Sequence, residues 1–564
     1  MTALLPAVKL GLSDASEDVR ETAGESFDIL FRMAGADVTS DIVPQLLSEL
    51  ETDPYALAGL KEVLSKQPRI LPTVLPKLAA APMTSFRARA LAALADVVKG
   101  ALHAHLGVLL AALLPAMSVE DEEEMLAARS AAEAISLAVE EPGVHLLLGE
   151  LQRGVADTDA SVRAGAVALA GLFCKGTKLD VEEHTPGLLS MCIGLFVDND
   201  ERVVKAAWTA TGEVTGTILK EDLPNFTKYV RQGINEVKDR AKRKLARGQP
   251  VLVPGLCLPK SLSPLLPIYL QGVLVGSSSE VRESAAEGIG ELVEVTSEDS
   301  VKPFVVQITG PLIRVIGDKF PWQVKAAILQ TLAIMIRKGG KSLKPFLPQL
   351  QTTFMKCLQD GAPTVRRRAA FALGLLMQLQ PRVDPVVNDL LAGIASAEGG
   401  VRSAMVHALR GTLENAEGNR SPVMERVGAT MGGLLSEEDE DMRVGAARTL
   451  GRYASLVEPA EVASVLQMVS KCPAMPDHRL ANAMAMASMV NHAAEATCPD
   501  SANLDTIVAS IKKHFTDDRA YIREAGLKAS FLPSLSLSLV TSNDLVHPRT
   551  GLPTCRCVGS KLKG

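Results

Sequence analysis

Histidine, cysteine and carboxylate are the side chains from which a metal site, a thiol nucleophile or an acid–base pair would be built. Of nine histidines, His103 and His105 stand two residues apart. On a helix they point to different faces, whereas helix-borne metal ligands recur at three or four. They and His492 read as solvated or capping. The eight cysteines, at 174, 192, 257, 357, 472, 498, 555 and 557, are paired in spacing only at Cys555-Arg-Cys557. Their apolar surroundings predict buried thiols in a reducing compartment, hence a cytoplasmic protein. No P-loop, dinucleotide-binding, nucleophile-elbow or zinc-protease motif occurs. The acidic runs "SVEDEEEM" from Ser118 and "SEEDEDM" from Ser436 each precede a helix. Each is read as a solvated turn with the serine as N-cap, not as a calcium loop. The expectation is no enzyme, no catalytic residue, no metal and no cofactor.

Cations offer a different chemistry, the recognition of phosphates and carboxylates. Lys238, Arg240, Lys242, Arg243, Lys244 and Arg247 lie in one run, "KDRAKRKLARGQP". Two readings stay open for it: sequence-independent contact with ribosomal RNA phosphates, or a solvated helical face. No aromatic separates the cations, so base stacking is not indicated. The whole chain, with net charge −6 and pI about 6.0, makes no bulk case for nucleic acid or an anionic membrane. Its most apolar run, "LGVLLAALLPAM", is too short to span a bilayer. Arg314 in "ITGPLIRVIGD" and Lys356 each precede an aspartate by four residues, and position alone makes them solvated helix residues.

The elements that must position these residues are helices. At 564 residues, 47% hydrophobic and only 4% aromatic, the chain is too long for one core and has the composition of stacked small helices. "LKPFLPQLQTTFMKCLQDGAPTVRRRAAFALGLL", from Leu343, reads as two amphipathic helices around a polar turn, and thinner versions of it recur. The recurring mark is an acidic or polar turn, then Val-Arg or a close variant, then alanine. It places Arg20, Arg163, Arg282, Arg366, Arg402, Arg443 and Arg523 at equivalent positions, and Lys325 fills the place in "PWQVKAA". From Arg282 to Arg443 the steps are 43, 41, 36 and 41 residues, a HEAT-type period with two helices, A and B, per unit. The fold expected is all-α, a HEAT/armadillo-type helical-repeat solenoid.

A cation in the first turn of helix B sits at the unfavourable end of the macrodipole and needs a partner. Asp18, Asp159, Glu280, Asp360 and Asp441 are the expected partners, within the unit or from the next, so that the arginines form a ladder. Prolines mark the start of each helix A, with Pro348 expected to bend its helix.

The organisation read from the text is HEAT repeats over 1–230, a basic and Pro/Gly-rich interruption at 231–265, HEAT repeats over 266–530, and a non-repeat tail at 531–564. The tail is expected to be disordered or a gene-model artefact. Leu4 enters a helix A directly, as in a section of a longer array.

At "VVQITGPLIRVIGDKFPWQVKAAILQTLAIMIRKGGKSLKPFLPQLQTTFMKCLQD" and "VPGLCLPKSLSPLLPIYLQGVLVG" the text exceeds what helix packing demands. Over residues 1 to about 530 the chain resembles the general control non-derepressible translational activator family. These are very large HEAT-repeat proteins that activate the kinase of the alpha subunit of initiation factor two. The resemblance implies a cytoplasmic, ribosome-associated scaffold that docks the RWD domain of that amino-acid-starvation kinase. It implies no membrane partner and no small-molecule substrate. The family's critical arginine falls on Arg314, with Lys325, Arg337 and Lys356 as neighbouring candidates. The competing classes are a nuclear-transport receptor, whose Trp/Asn ladder two tryptophans cannot supply, and a phosphatase scaffold, whose repeats are more regular.

Overall fold

Among the residues that the computed structural model describes, every regular element is a helix. They are 4–246, 249–317, 320–380, 382–415, 422–457, 459–470 and short pieces between 479 and 524. The tail from 531, His492, Arg247, Asp318 and the last four cysteines lie outside them.

The chain divides into two compact units, Met1–Leu343 and Lys344–Gly564. In the first, A and B helices alternate as antiparallel pairs: Leu106–Ala116 with Glu122–Leu137, Val144–Val155 with Ala160–Gly176, and Thr185–Gly194 with Glu201–Gly216. Later pairs are Leu266–Val275 with Ser279–Glu294 and Val305–Ile316 with Trp322–Gly339. In the second unit Leu347–Cys357 pairs with Pro363–Leu376, Asp384–Ser396 with Gly399–Glu414, and Pro422–Leu434 with Glu440–Ala454. Within each unit successive B helices pack on one another, except between Glu201–Gly216 and Ser279–Glu294. Small residues set that spacing: a Cβ on Gly374 would lie 2.9 Å from the backbone of Gly411 on the neighbouring B helix.

The prolines act mostly as lead-ins. Pro68, Pro142, Pro224 and Pro303 each open a short 3-10 turn that runs into an A helix. Pro lacks the amide that a first turn leaves unbonded anyway. Pro348 is such a residue, in the first turn of Leu347–Cys357, so it starts its helix and does not bend it. Prolines that do lie inside A helices are Pro44, Pro76, Pro115 and Pro311.

Thr227–Arg243 is one continuous helix, and it packs as an A helix on Thr185–Gly194. The segment after it takes the place of a B helix and is held by polar bonds. Trp208 Nε1 donates to the Ser261 carbonyl at 3.0 Å, Val253 N to the Val295 carbonyl at 2.9 Å, and Ser300 Oγ to the Cys257 carbonyl at 3.0 Å. The apolar stretch Ser85–Ala116 is long enough by length to cross a bilayer. It is broken at Lys99, where φ is 33°, into helices of 14 and 11 residues joined by a 3-10 turn, each shorter than a span.

Candidate protein-binding surface

The cations separate into those the fold uses and those it leaves outward. The ladder arginines are used, by a different partner from the one expected. In five units the guanidinium Nη1 turns back across the A–B turn and donates to two successive carbonyls. Arg20 takes those of Asp14 and Ala15, Arg163 those of Asp157 and Thr158, and Arg366 those of Asp360 and Gly361. Arg443 takes Glu437 and Glu438, and Arg523 takes Asp517 and Asp518. Arg282 and Arg402 reach slightly further, to Val273 and Leu274 and to Ile394, in the last turn of their own A helices. The charge therefore leaves the positive end of helix B and lies at the carbonyl-rich end of helix A, where a cation is favoured. Asp159 instead caps its helix through the Ser161 amide at 2.8 Å, and Asp360 accepts from the Ala362 amide at 2.9 Å.

A second contact of five ladder arginines joins repeats. Arg163 makes a bidentate pair with Asp198, Nε and Nη2 both at 2.9 Å, and Arg402 pairs with Glu437 at 3.0 Å, each 35 residues on. Arg366 Nε donates to the Gly400 carbonyl at 3.1 Å. Arg20 lies over the Tyr55 ring at 5.7 Å and Arg282 over Phe320 at 4.6 Å. One repeat's arginine thus holds the next repeat's turn.

Several rungs have no mark in the sequence. Arg87, in "SFRARA", reaches the Ala80 and Pro82 carbonyls at 3.4 Å, without the preceding valine. Arg231 bonds Glu291 at 2.7 and 2.9 Å and Glu287 at 2.7 Å, and its pKa is raised first by the Glu291 bond. These glutamates lie beyond the irregular segment, at a separation no period would suggest.

The basic run is partly consumed in the same way. Lys238 pairs with Glu294 at 2.6 Å, Arg240 Nη2 donates to the Gly194 carbonyl at 2.6 Å, and Lys244 donates to Asn199 Oδ1 at 2.8 Å. Lys242 and Arg243 are exposed at the end of their helix.

Of the cations that the resemblance points to, Arg314 is exposed in the last turn of Val305–Ile316, and among the described residues its side chain has no hydrogen bond or ion pair. Lys325 is half-buried in the first turn of Trp322–Gly339 and does have a partner. Arg337 is exposed in the last turn of that helix, about 18 Å along the axis from Lys325. Its neighbour Lys338 is spent on the Thr296 carbonyl at 3.0 Å. Lys356 is exposed on Leu347–Cys357, in the second unit. The structure thus groups Arg314 and Lys325 at one end of their repeat and sets Arg337 at the other.

The other candidates turn structural. Asp121 and Asp439, not Ser118 and Ser436, cap the helices after the acidic runs, because their carboxylates accept from Glu124 N and Asp441 N. His103 Nε2 accepts from the Glu140 amide at 3.2 Å, a capping role. Cys174 and Cys192 are buried, and burial pushes the Cys174 thiol up to about 12 and Cys192 higher still, so neither is a nucleophile at neutral pH. Among the described residues no group of three or more His, Cys, Asp or Glu is placed to hold a metal ion.

Stacked two-helix units joined by arginine rungs, with single cations left on the outer surface, define an α-solenoid of the HEAT class. Two profiles described as "Stalled ribosome sensor GCN1-like, HEAT repeats" match residues 70–260 and 384–548, together more than half of the chain, and a HEAT-like repeat profile matches 322–376. The chain belongs to the GCN1-like HEAT-repeat family. It is 43% identical over 483 residues to the protein ILITYHIA of Arabidopsis thaliana, covering 85% of this chain and 18% of that one. It is 35% identical to the human stalled ribosome sensor GCN1, over 93% of this chain and 20% of that one. Identity to the eIF-2-alpha kinase activator GCN1 of Saccharomyces cerevisiae is 35%, over 82% and 17%. The chain spans about a fifth of the length of these relatives. Among solved structures, a crystal structure of importin beta aligns with TM-score 0.40 and 14% identity, over 93% of this chain and 76% of that one.

Proposed function

We propose that this chain is a segment of a non-enzymatic, ribosome-associated cytoplasmic scaffold that binds the RWD domain of the initiation factor two alpha kinase and so promotes its activation. The names of its relatives, a kinase activator and a ribosome sensor, support the reading. The observation that carries it on this chain is Arg314, an exposed guanidinium that no described residue pairs. Arginine anchors of this kind dominate the energetics of protein interfaces. Lys325, Arg337 and Lys356 are proposed as lesser contributors. Calorimetry of the full chain with the RWD domain tests this. Arg314→Ala is expected to weaken binding by about 30-fold or more, the lower bound of a hot spot, without changing the melting temperature. Arg402→Ala should do the reverse. Equal affinity of the Arg314→Ala protein and wild type would remove Arg314 from the interface.

Contact with ribosomal RNA is proposed for the outward cations of the basic run, Lys242 and Arg243, with Arg247 beyond the described residues. Phosphate contacts of this kind are non-specific and salt-dependent. The Lys242→Glu/Arg243→Glu double variant should lose co-sedimentation with ribosomes, with a salt slope lower by about 1 per contact removed. An unchanged slope would return the run to a structural role.

A further inference from the structure

Three consecutive B helices of the second unit, Pro363–Leu376, Gly399–Glu414 and Glu440–Ala454, carry an arginine cluster that no ladder function absorbs. Arg367 is exposed on the first. Arg410 on the second pairs with Glu414 at 3.1 Å. Arg448 on the third is half-buried, and its Nη2 reaches a thioether, Met484 Sδ at 3.6 Å, not a carboxylate. Sulfur is a weak acceptor, and the carboxylate that acts on this guanidinium among the described residues is Glu414, which is already paired with Arg410. Its pKa is lowered, first by burial and then by Arg410. Half-buried His407, on the middle helix, has its pKa lowered first by burial, then by Arg410 and Arg448, with Asp441 opposing and Arg367 adding to the lowering. Beside Arg367, one helical turn on, Phe371 is 52% exposed.

Such an arrangement costs the free protein stability, since like charges are held close around one shared carboxylate and one of them is short of water. The same features make an anchor for an anion: planar donor forks suited to bidentate carboxylates, next to an apolar side chain. We propose that this face of the second unit binds an acidic protein segment that presents carboxylates beside an apolar residue. Arg448 and Arg367 would take the carboxylates and Phe371 the apolar side chain. Glu414 and Asp441 at the edge of the cluster disfavour a continuous phosphate backbone, and one aromatic makes no stacking row, so a protein ligand is favoured over RNA.

Fluorescence anisotropy of the full chain at low salt tests this. The probe is a fluorescein-labelled 16-residue helical peptide carrying glutamates at i and i+4 around a leucine. Its all-glutamine counterpart and a 16-nucleotide oligouridylate serve for comparison. The glutamate peptide is expected to bind at least tenfold more tightly than either, and to be weakened at least tenfold by Arg448→Met and by Phe371→Ser. Arg448→Met should leave the melting temperature equal or higher, because it replaces a half-buried charge among like charges by an apolar chain of similar length. A purely structural arginine would instead show a lower melting temperature and unchanged binding. That result, absence of wild-type binding, equal binding of the glutamine peptide, or tighter binding of the oligouridylate would each overturn the proposal.

Discussion

Arg163→Ala is expected to destabilise its repeat by about 3 kcal/mol, between the small cost of breaking a surface ion pair and the larger cost of breaking a buried one. The substitution removes four hydrogen bonds at once, two to the Asp157 and Thr158 carbonyls and two to Asp198. It also strands Asp198, whose side chain is only 10% exposed. Unfolding in urea, followed by Trp208 in a Trp322→Phe background, reads the repeat next to the break. An unchanged midpoint would show that the rung contributes nothing to the stack.

The same rung fixes a pH dependence. Burial alone would raise the Asp198 pKa, but the bonds from Arg163 and the Asp200 and Asn199 amides outweigh it and hold it below the ordinary value. A carboxylate with a depressed folded pKa binds protons more readily when unfolded. Its contribution is therefore complete above the unfolded value, near 3.9, and is lost as pH falls through the lower, folded one. The stability difference between wild type and Asp198→Asn should be constant at neutral pH and shrink below about pH 4.

Gly165→Ala is the second large effect, again about 3 kcal/mol, through overpacking. A Cβ at this position in the Ala160–Gly176 helix would stand 2.2 Å from the carbonyl oxygen of Leu114, in the last turn of the preceding repeat's A helix. Backbone cannot step aside as a side chain would. Gly59 meets the Leu12 carbonyl at the same 2.2 Å, so the close approach recurs between repeats. Gly149→Ala is the control, because its Cβ would meet nothing within 4 Å inside Val144–Val155. It should stabilise by up to about 1 kcal/mol through helix propensity. Thermal unfolding of the two variants beside wild type measures both, and equal shifts would refute the steric account.

The repeat was legible because its determinants are local. Apolar spacing, proline at the lead-in and a basic residue after valine all lie within one two-helix unit, and each unit repeats the same packing problem. Arg163 and Arg402 could be named as ladder residues on that basis alone. Their partners could not, since the Asp157 and Asp198 contacts depend on how the turn folds back and how far the next repeat is displaced. The reading from the macrodipole was right that the cation needs a partner and wrong about which; carbonyls at the end of helix A lie within reach of the guanidinium, and the carboxylates of Asp159 and Asp360 accept from backbone amides of their own turns.

By itself the sequence determined the helical class, the period near 40 and the family, because periodic burial and family-specific text are properties of order along the chain. Only the tertiary structure decided which cations are spent. Lys238 and Arg240 read the same as Lys242 and Arg243, yet the first two end on Glu294 and the Gly194 carbonyl, 56 and 46 residues away, and the others end in solvent. Charge is written residue by residue, whereas pairing is a matter of distance in space, and that distance is set by the stacking of one repeat on the next.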